Sequence, residues 1–329
     1  MPDIVDMLQA LPHAVTPGPA GPDLAAADVA RGHRALGQRR RRRLAGAGGT
    51  VAVGAVAVVL AATSSPQPAA PARSASQAPA ATSKLMTLAA RISASDVPLP
   101  GNASLQIVNH ISRGKLWDVY YGLYTDSGDL YSGDGKQTLM TAVAQHDNQA
   151  DGADREVAAA RYAASGDLAT ARVRMIDTTP NDFFLSLAAR EKIWKAGAAA
   201  RQTIMRMKGI KTPWGMPNVQ DQINNTLWSE CTDALNWAGG NPEIRAGVLR
   251  LLSTIPEVTV ANSTTGGQPT LTITAGPAVF GGDGEEVLTV NATTGLPVSI
   301  VSTASGVPAA VETYQVSRVT LADIEAGRF

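Results

Sequence analysis

The chain has 329 residues and no formal net charge, with 28 Lys and Arg against 28 Asp and Glu. It carries four His and a single Cys, Cys231, which excludes an intrachain disulfide framework and a cysteine-clustered zinc site. The average conceals two populations: residues 1–43 hold seven Arg and four Asp, while residues 84–329 hold 20 Lys and Arg against 24 Asp and Glu, so the larger part is mildly acidic and offers no basic stripe for nucleic acid.

Residues 2–11 place Ile4, Val5, Met7, Leu8 and Leu11 on one helical face. A Pro/Gly loop follows, and residues 23–43 read as a second, weakly apolar helix ending in Arg39, Arg40, Arg41, Arg42 and Arg43. Neither segment buries much alone. Two expectations stand for residues 1–43: a tail without a core, or an amphipathic docking element for a cytoplasmic protein.

Residues 44–62 contain only Leu, Val, Ala, Gly and one Thr. At about 1.5 Å per residue the run just spans a bilayer core of about 30 Å. The arginine block fixes the orientation, cytoplasmic at the N-terminus and extracytoplasmic after Ala62, and contacts anionic lipid headgroups. An uncleaved anchor in the plasma membrane is expected, because the 43 residues ahead of the run exceed an ordinary signal peptide. A cleaved signal and a buried soluble helix are the competing assignments. Residues 63–83 form a Pro/Ala/Ser linker that cannot build a core.

The domain 84–329 is expected to open with a helix near 84–94. Strands follow at 104–111, 115–124, 128–132 and 136–145, bounded by Gly/Asp turns. Helices are expected at 153–164, from Pro180 through Lys195, at 198–208, at 218–238 and from Asn241-Pro242 to about Thr254. The last third reads as consecutive hairpins, with strands at 257–261, 270–275, 285–290, 297–303 and 309–319. The fold class implied is α+β: one curved antiparallel sheet with the helices on one face, preceded by a single transmembrane helix.

Three segments carry a resemblance: TPNDFFLSLAAR (179–190), NPEIRAGVLRLLSTIPEVTV (241–260) and VNATTGLPVSIV (290–301). With the order of tail, arginine block, span and outer domain, the chain resembles an uncharacterised group of actinobacterial single-pass membrane proteins. That group is often encoded beside sigma factors of the extracytoplasmic-function type. The resemblance implies an outer domain similar to the half-barrels of lipoprotein carriers and anti-sigma-factor regulators. Its motifs are packing signatures and assign no chemistry.

Chemistry-bearing patterns are sparse. His110 lies within one expected strand and His146 ends another, with no catalytic partner set nearby in sequence. No nucleophile elbow, H-E-x-x-H or phosphate loop occurs. The acidic runs Asp126, Asp129, Asp134 and Asp147, Asp151, Asp154 lack the order of a calcium loop and read as turns. Gly281–Gly284 reads as a hairpin turn. No cofactor or metal is expected. Cys231 follows Leu227 and Trp228 on a helix face and is expected to be buried. Trp117, Tyr120, Tyr121 and Tyr124 cluster on one strand. Alternation sends Trp117 and Tyr121 one way and Tyr120 the other, which suits either a two-sided core contact or an apolar ligand groove. A non-enzymatic membrane-anchored sensing or interaction domain is the leading expectation. A membrane-tethered lipid or lipoprotein-binding module is the second, with an apolar ligand or a protein as the outer partner. A secreted enzyme is the third, conditional on polar groups converging near His110 or His146.

Overall fold

The computed structural model describes residues 78–95, 100–150, 153–179, 181, 183–197, 218–280, 284–304 and 307–329. The tail, Arg39–Arg43, the apolar run 44–62, most of the linker and the expected helix 198–208 lie outside the described residues. Among the described residues no helix is long and apolar enough to cross a membrane.

The element order is α1 (Ala78–Ser93), β1 (Ala103–Ser112), β2 (Lys115–Thr125), β3 (Leu130–Gly133), α2 (Lys136–Ala144), α3 (Ala153–Ser165), α4 (Leu168–Ile176), α5 (Leu187–Ala196), α6 (Val219–Ala238), α7 (Pro242–Leu252), β4 (Thr259–Thr265), β5 (Gln268–Ala275), α8 (Pro277–Phe280), β6 (Glu285–Asn291), β7 (Pro297–Ala304), β8 (Val307–Val319) and α9 (Leu321–Glu325). The expected α+β class holds. All strands form one eight-stranded antiparallel sheet in the order β3-β2-β1-β8-β7-β6-β5-β4. The sheet is open, with β3 and β4 at its edges. The N-terminal meander and the C-terminal meander join where β1 pairs with β8, from Ala103↔Val319 to Ser112↔Ala310.

The sequence expectation fails at four places. The run 136–145 is helix α2, not a strand. Its apparent alternation is overridden by Leu139, Ala142 and Val143, spaced for one helical face and all buried. The turn before it is set by Thr138, whose Oγ1 accepts from the Gly135 N–H and donates to Asp134. His146 therefore follows a helix rather than a strand, at φ 52°. Helix α5 starts at Leu187 behind the N-cap Ser186, not at Pro180. Helix α1 starts at Ala78, ahead of the expected 84, and Pro79 is tolerated there because first-turn N–H groups lack intrahelical partners anyway.

The fourth correction concerns the faces of the sheet. Leu105, Leu123 and Tyr131, which pair across β1, β2 and β3, pack with Leu139, Val143 and Ile324 of α2 and α9. The alternate residues Val108, Tyr124 and Leu130 join the main core with α6 and α3. Helices thus cover both faces at the β1–β3 end, whereas one face was expected. The main core is built on α6 and α7, where Leu227, Trp228, Cys231, Leu249, Leu251 and Leu252 are at or near zero exposure. Helix α7 packs on α1 and α3. Its Asn241 side chain accepts from the Glu243 N–H, with Pro242 at the first turn, as its sequence implies. It crosses α3 so closely that a Cβ on Gly247 would sit 1.7 Å from the Ala160 carbonyl oxygen.

Candidate functional site

The four aromatic residues of β2 do not share a groove. Tyr120 and Tyr124 pack into the main core on the α6 side. Burial, with the Asp154 charge second, pushes the Tyr124 hydroxyl up to about 12. Tyr121 lies on the other side, edge-on to Phe329 with centroids 6.5 Å apart. Trp117 departs from the alternation because the β1–β2 register shifts between His110 and Ile111, which makes it a bulge residue. Its ring rests 5.3 Å from the His110 ring.

His110 does gather polar neighbours. Its Nδ1 lies 3.4 Å from Glu312, and the same carboxylate accepts from the Tyr314 hydroxyl at 2.7 Å. These contacts order the β1–β8 end. His146 is exposed beyond α2. Asp126 pairs with Arg318, Asp129 accepts from Ser127 and Asn148, and Asp134 accepts from Thr138. These carboxylates brace turns, as read from sequence.

A buried acidic group escaped the sequence reading. Glu156 of α3 and Glu230 and Asp233 of α6 bring one carboxylate oxygen each within 4.8 Å of one another. Among the described residues this is the one group that could hold a metal ion. Its carboxylates are also placed to share a proton. Burial, reinforced by the Glu230 charge, raises the Glu156 carboxyl well above its ordinary range, and burial also raises Glu230. Glu156 accepts from Trp237 Nε1 at 2.9 Å, and Glu230 accepts from the Thr178 and Thr179 hydroxyls at 3.2 and 2.8 Å. A protonated Glu156 then bridges to Glu230 and ties α3 to α6, leaving the pair with one negative charge rather than two. The i, i+3 spacing of Glu230 and Asp233 was visible in sequence, but Glu156 comes from another helix.

Cys231 is fully buried beside this group, and burial pushes its thiol well up. It is a core residue, as expected, and not a reactive one.

The surface offers a cleft of about 480 Å³ between α1 and the β4–β5 hairpin. Leu88 and Leu271 form a buried floor, and Lys84, Arg91, Asn262, Ser263 and Thr293 stand at its rim. Lys84 Nζ approaches the Val260 carbonyl at 3.5 Å, and Arg91 donates to the Ala292 carbonyl at 3.2 Å. Among the described residues neither cation has a carboxylate partner. The wall at Ala292 is held by the β6–β7 turn. There the Asn291 side chain accepts from the Thr293 and Thr294 N–H groups, and Gly295 takes φ +67°. The positive φ favours glycine at 295, and a Cβ there would also press on the Ile92 Cδ1 of α1 at 2.6 Å. Arg245 fastens the same turn from beneath, donating to the carbonyls of Gly239, Gly240 and Thr294. Burial lowers its guanidinium to about 10. The segment VNATTGLPVSIV is therefore a packing motif that shapes one wall of the cleft.

Comparison of the chain with protein-family models, with curated proteins and with solved structures gives no match.

Proposed function

We propose that the chain is a single-pass membrane protein, cytoplasmic at its N-terminus, whose outer domain recognises another molecule without transforming it. Residues 1–43 engage a cytoplasmic protein, and by resemblance the system is linked to sigma-factor regulation. One observation carries the reading of the outer domain. The layer between the sheet and the helices is filled by large apolar side chains, among them Trp228, Leu235, Leu251 and Ile273. Among the described residues its buried carboxylates Glu156 and Glu230 are engaged with Trp237, Thr178 and Thr179. The described concavity lies on the surface and is rimmed by cations and hydroxyls. The test purifies the full-length chain from membranes after an alkaline wash, extracts it for lipid, and photo-crosslinks it in cells from positions in 1–43 and on the outer domain. Retention in the membrane, discrete crosslinked partners on both sides and no stoichiometric lipid are expected. Release by the wash, or no discrete partner on either side, overturns the proposal.

A second reading, a lipid or lipoprotein-binding module, has its own support. On the face of the sheet away from α6, Val287, Val301, Val311, Ile111 and Leu116 line up through consecutive strand pairings. Leu116 is 58% exposed and the other four are partly buried. A half-barrel that curves around this row would offer an apolar strip to an acyl chain. Lipid that co-purifies stoichiometrically and is lost in Val301→Asp and Val311→Asp would establish this reading over the first.

A further inference from the structure

We propose that the cleft between α1 and the β4–β5 hairpin binds an extended acidic peptide segment, with Lys84 and Arg91 each taking one carboxylate. The inference rests on the interaction-domain reading and names the chemistry of the partner.

The two cations are seven residues apart on one helix. Seven residues is close to two turns, so both project on the same side of α1, about 10 Å apart along its axis. They mark the two ends of the cleft, Lys84 beside Val260 of β4 and Arg91 beside Ala292 of the β6–β7 turn. Among the described residues each meets a backbone carbonyl and no carboxylate, and a carboxylate would bind either cation more strongly than a neutral acceptor does. Residues 84–329 are acidic overall, 24 Asp and Glu against 20 Lys and Arg, so the two cations of the cleft run against the net charge of that part of the chain. That contrast attracts an acidic partner and orients it.

Spacing selects the form of the ligand. The oxygens of one phosphate are only about 2.5 Å apart, so a lone phosphate satisfies one cation and leaves the other with its carbonyl. A polyproline II segment advances about 3.1 Å per residue with three residues per turn, so two acidic side chains three residues apart share one face about 9 Å apart, close to the 10 Å separation. The stretch between them crosses the apolar floor made by Leu88 and Leu271. The wall on the hairpin side, Asn262 and Ser263, belongs to an edge strand. Among the described residues nothing pairs beyond β4, and Ala261–Thr265 are exposed. The strand carries no Lys, Pro or bulge of the kind that normally guards an edge. That exposed wall leaves room for a polyproline II segment to lie over the floor between the two cations.

The experiment titrates the full-length chain, in phosphatidylcholine nanodiscs, into a fluorescein-labelled nonapeptide with two aspartates three residues apart. Anisotropy reports binding. Lys84→Gln and Arg91→Gln are each expected to weaken it about two- to five-fold, as for exposed ion pairs, and the double variant about ten-fold. An otherwise identical peptide with both aspartates changed to asparagine should match that loss on the wild-type chain. Unchanged thermal transitions in the variants show that folding is intact, as expected for side chains on a rim. Equal peptide affinity in wild type and double variant overturns the proposal. So does peptide indifference combined with loss of binding to phosphatidylglycerol vesicles in the double variant, which would assign the cations to a lipid headgroup. The parent reading fails separately: if the double variant keeps its crosslinked outer partner, recognition stands and the cleft falls, whereas absence of any outer partner in the wild type removes both.

Discussion

Among the described glycines, Gly247 leaves the least room for an added methyl group. Its ideal Cβ would lie 1.7 Å from the Ala160 carbonyl oxygen, 2.7 Å from the carbonyl carbon and 3.1 Å from the Ala164 nitrogen. All three atoms are backbone, so no rotamer change relieves the contact. Restoring an ordinary carbon–oxygen separation of about 3.3 Å requires moving α7 from α3 by about 1.6 Å. A gap of even 0.5–1 Å forfeits about a quarter to a half of the dispersion well for the atoms facing it. Those atoms include Ala159, Ala160, Ala163, Ala246 and Val248, all buried. Overpacking of this kind costs about 3 kcal/mol at the upper end of its usual range. Replacing a mid-helix glycine by alanine returns about 1 kcal/mol of helix propensity. Gly247→Ala is thus expected to lose about 2 kcal/mol net, lowering the urea midpoint by about 1 M for a slope of about 2 kcal/mol per M. Gly276→Ala, with nothing within 4 Å of its Cβ, is the control and should stay within about 0.5 kcal/mol. A midpoint for Gly247→Ala equal to or above wild type would mean that helix propensity alone governs the site, and the close-crossing argument would be wrong.

Three further outcomes are expected. Because the Glu156 carboxyl is raised in the fold, the folded state binds more protons than the unfolded one. Its contribution is complete below the ordinary value of 4.5 and is lost as pH rises through the raised value, at up to about 1.4 kcal/mol per pH unit. Glu156→Gln keeps the bridge to Glu230 without the titration. Its urea midpoint should fall less than wild type between pH 5 and pH 8, and parallel slopes would sink the shared-proton account. Gln106 is 1% exposed, and neither of its side-chain amide atoms has a hydrogen-bond partner. Gln106→Met should therefore stabilise the protein by about 1 kcal/mol in the same assay, and a clear loss would reveal a partner for the amide. Cys231 should resist a thiol reagent at pH 8 in the native protein and react only in denaturant, since burial both shields it and disfavours its thiolate. Fast labelling of the native chain would contradict this.

What the sequence determined by itself is local. The hairpins of the last third follow from turn chemistry, as at Asn291–Gly295, where an Asn side chain and a positive-φ glycine act within five residues. The start of α7 follows from Asn241 and Pro242, and the burial of Cys231 follows from the helical spacing of Leu227, Trp228 and Leu235. Such signals lie within one or two turns of chain and need no knowledge of what packs against them. The tertiary structure decided the rest. Residues 136–144 satisfy both periodicities on paper, and only the shared core with Leu105, Leu123 and Ile324 selects the helix. The aromatics of β2 were legible as a cluster, but the bulge at Trp117 and the covering of both faces scatter them. Glu156 meets Glu230 and Asp233 only because α3 packs on α6. The cleft depends on α1 crossing strands that follow it by more than 170 residues, as the Lys84–Val260 contact records. Its two cations were ordinary in the sequence, because charge becomes a site only when folding aligns it along one groove and leaves it without a carboxylate.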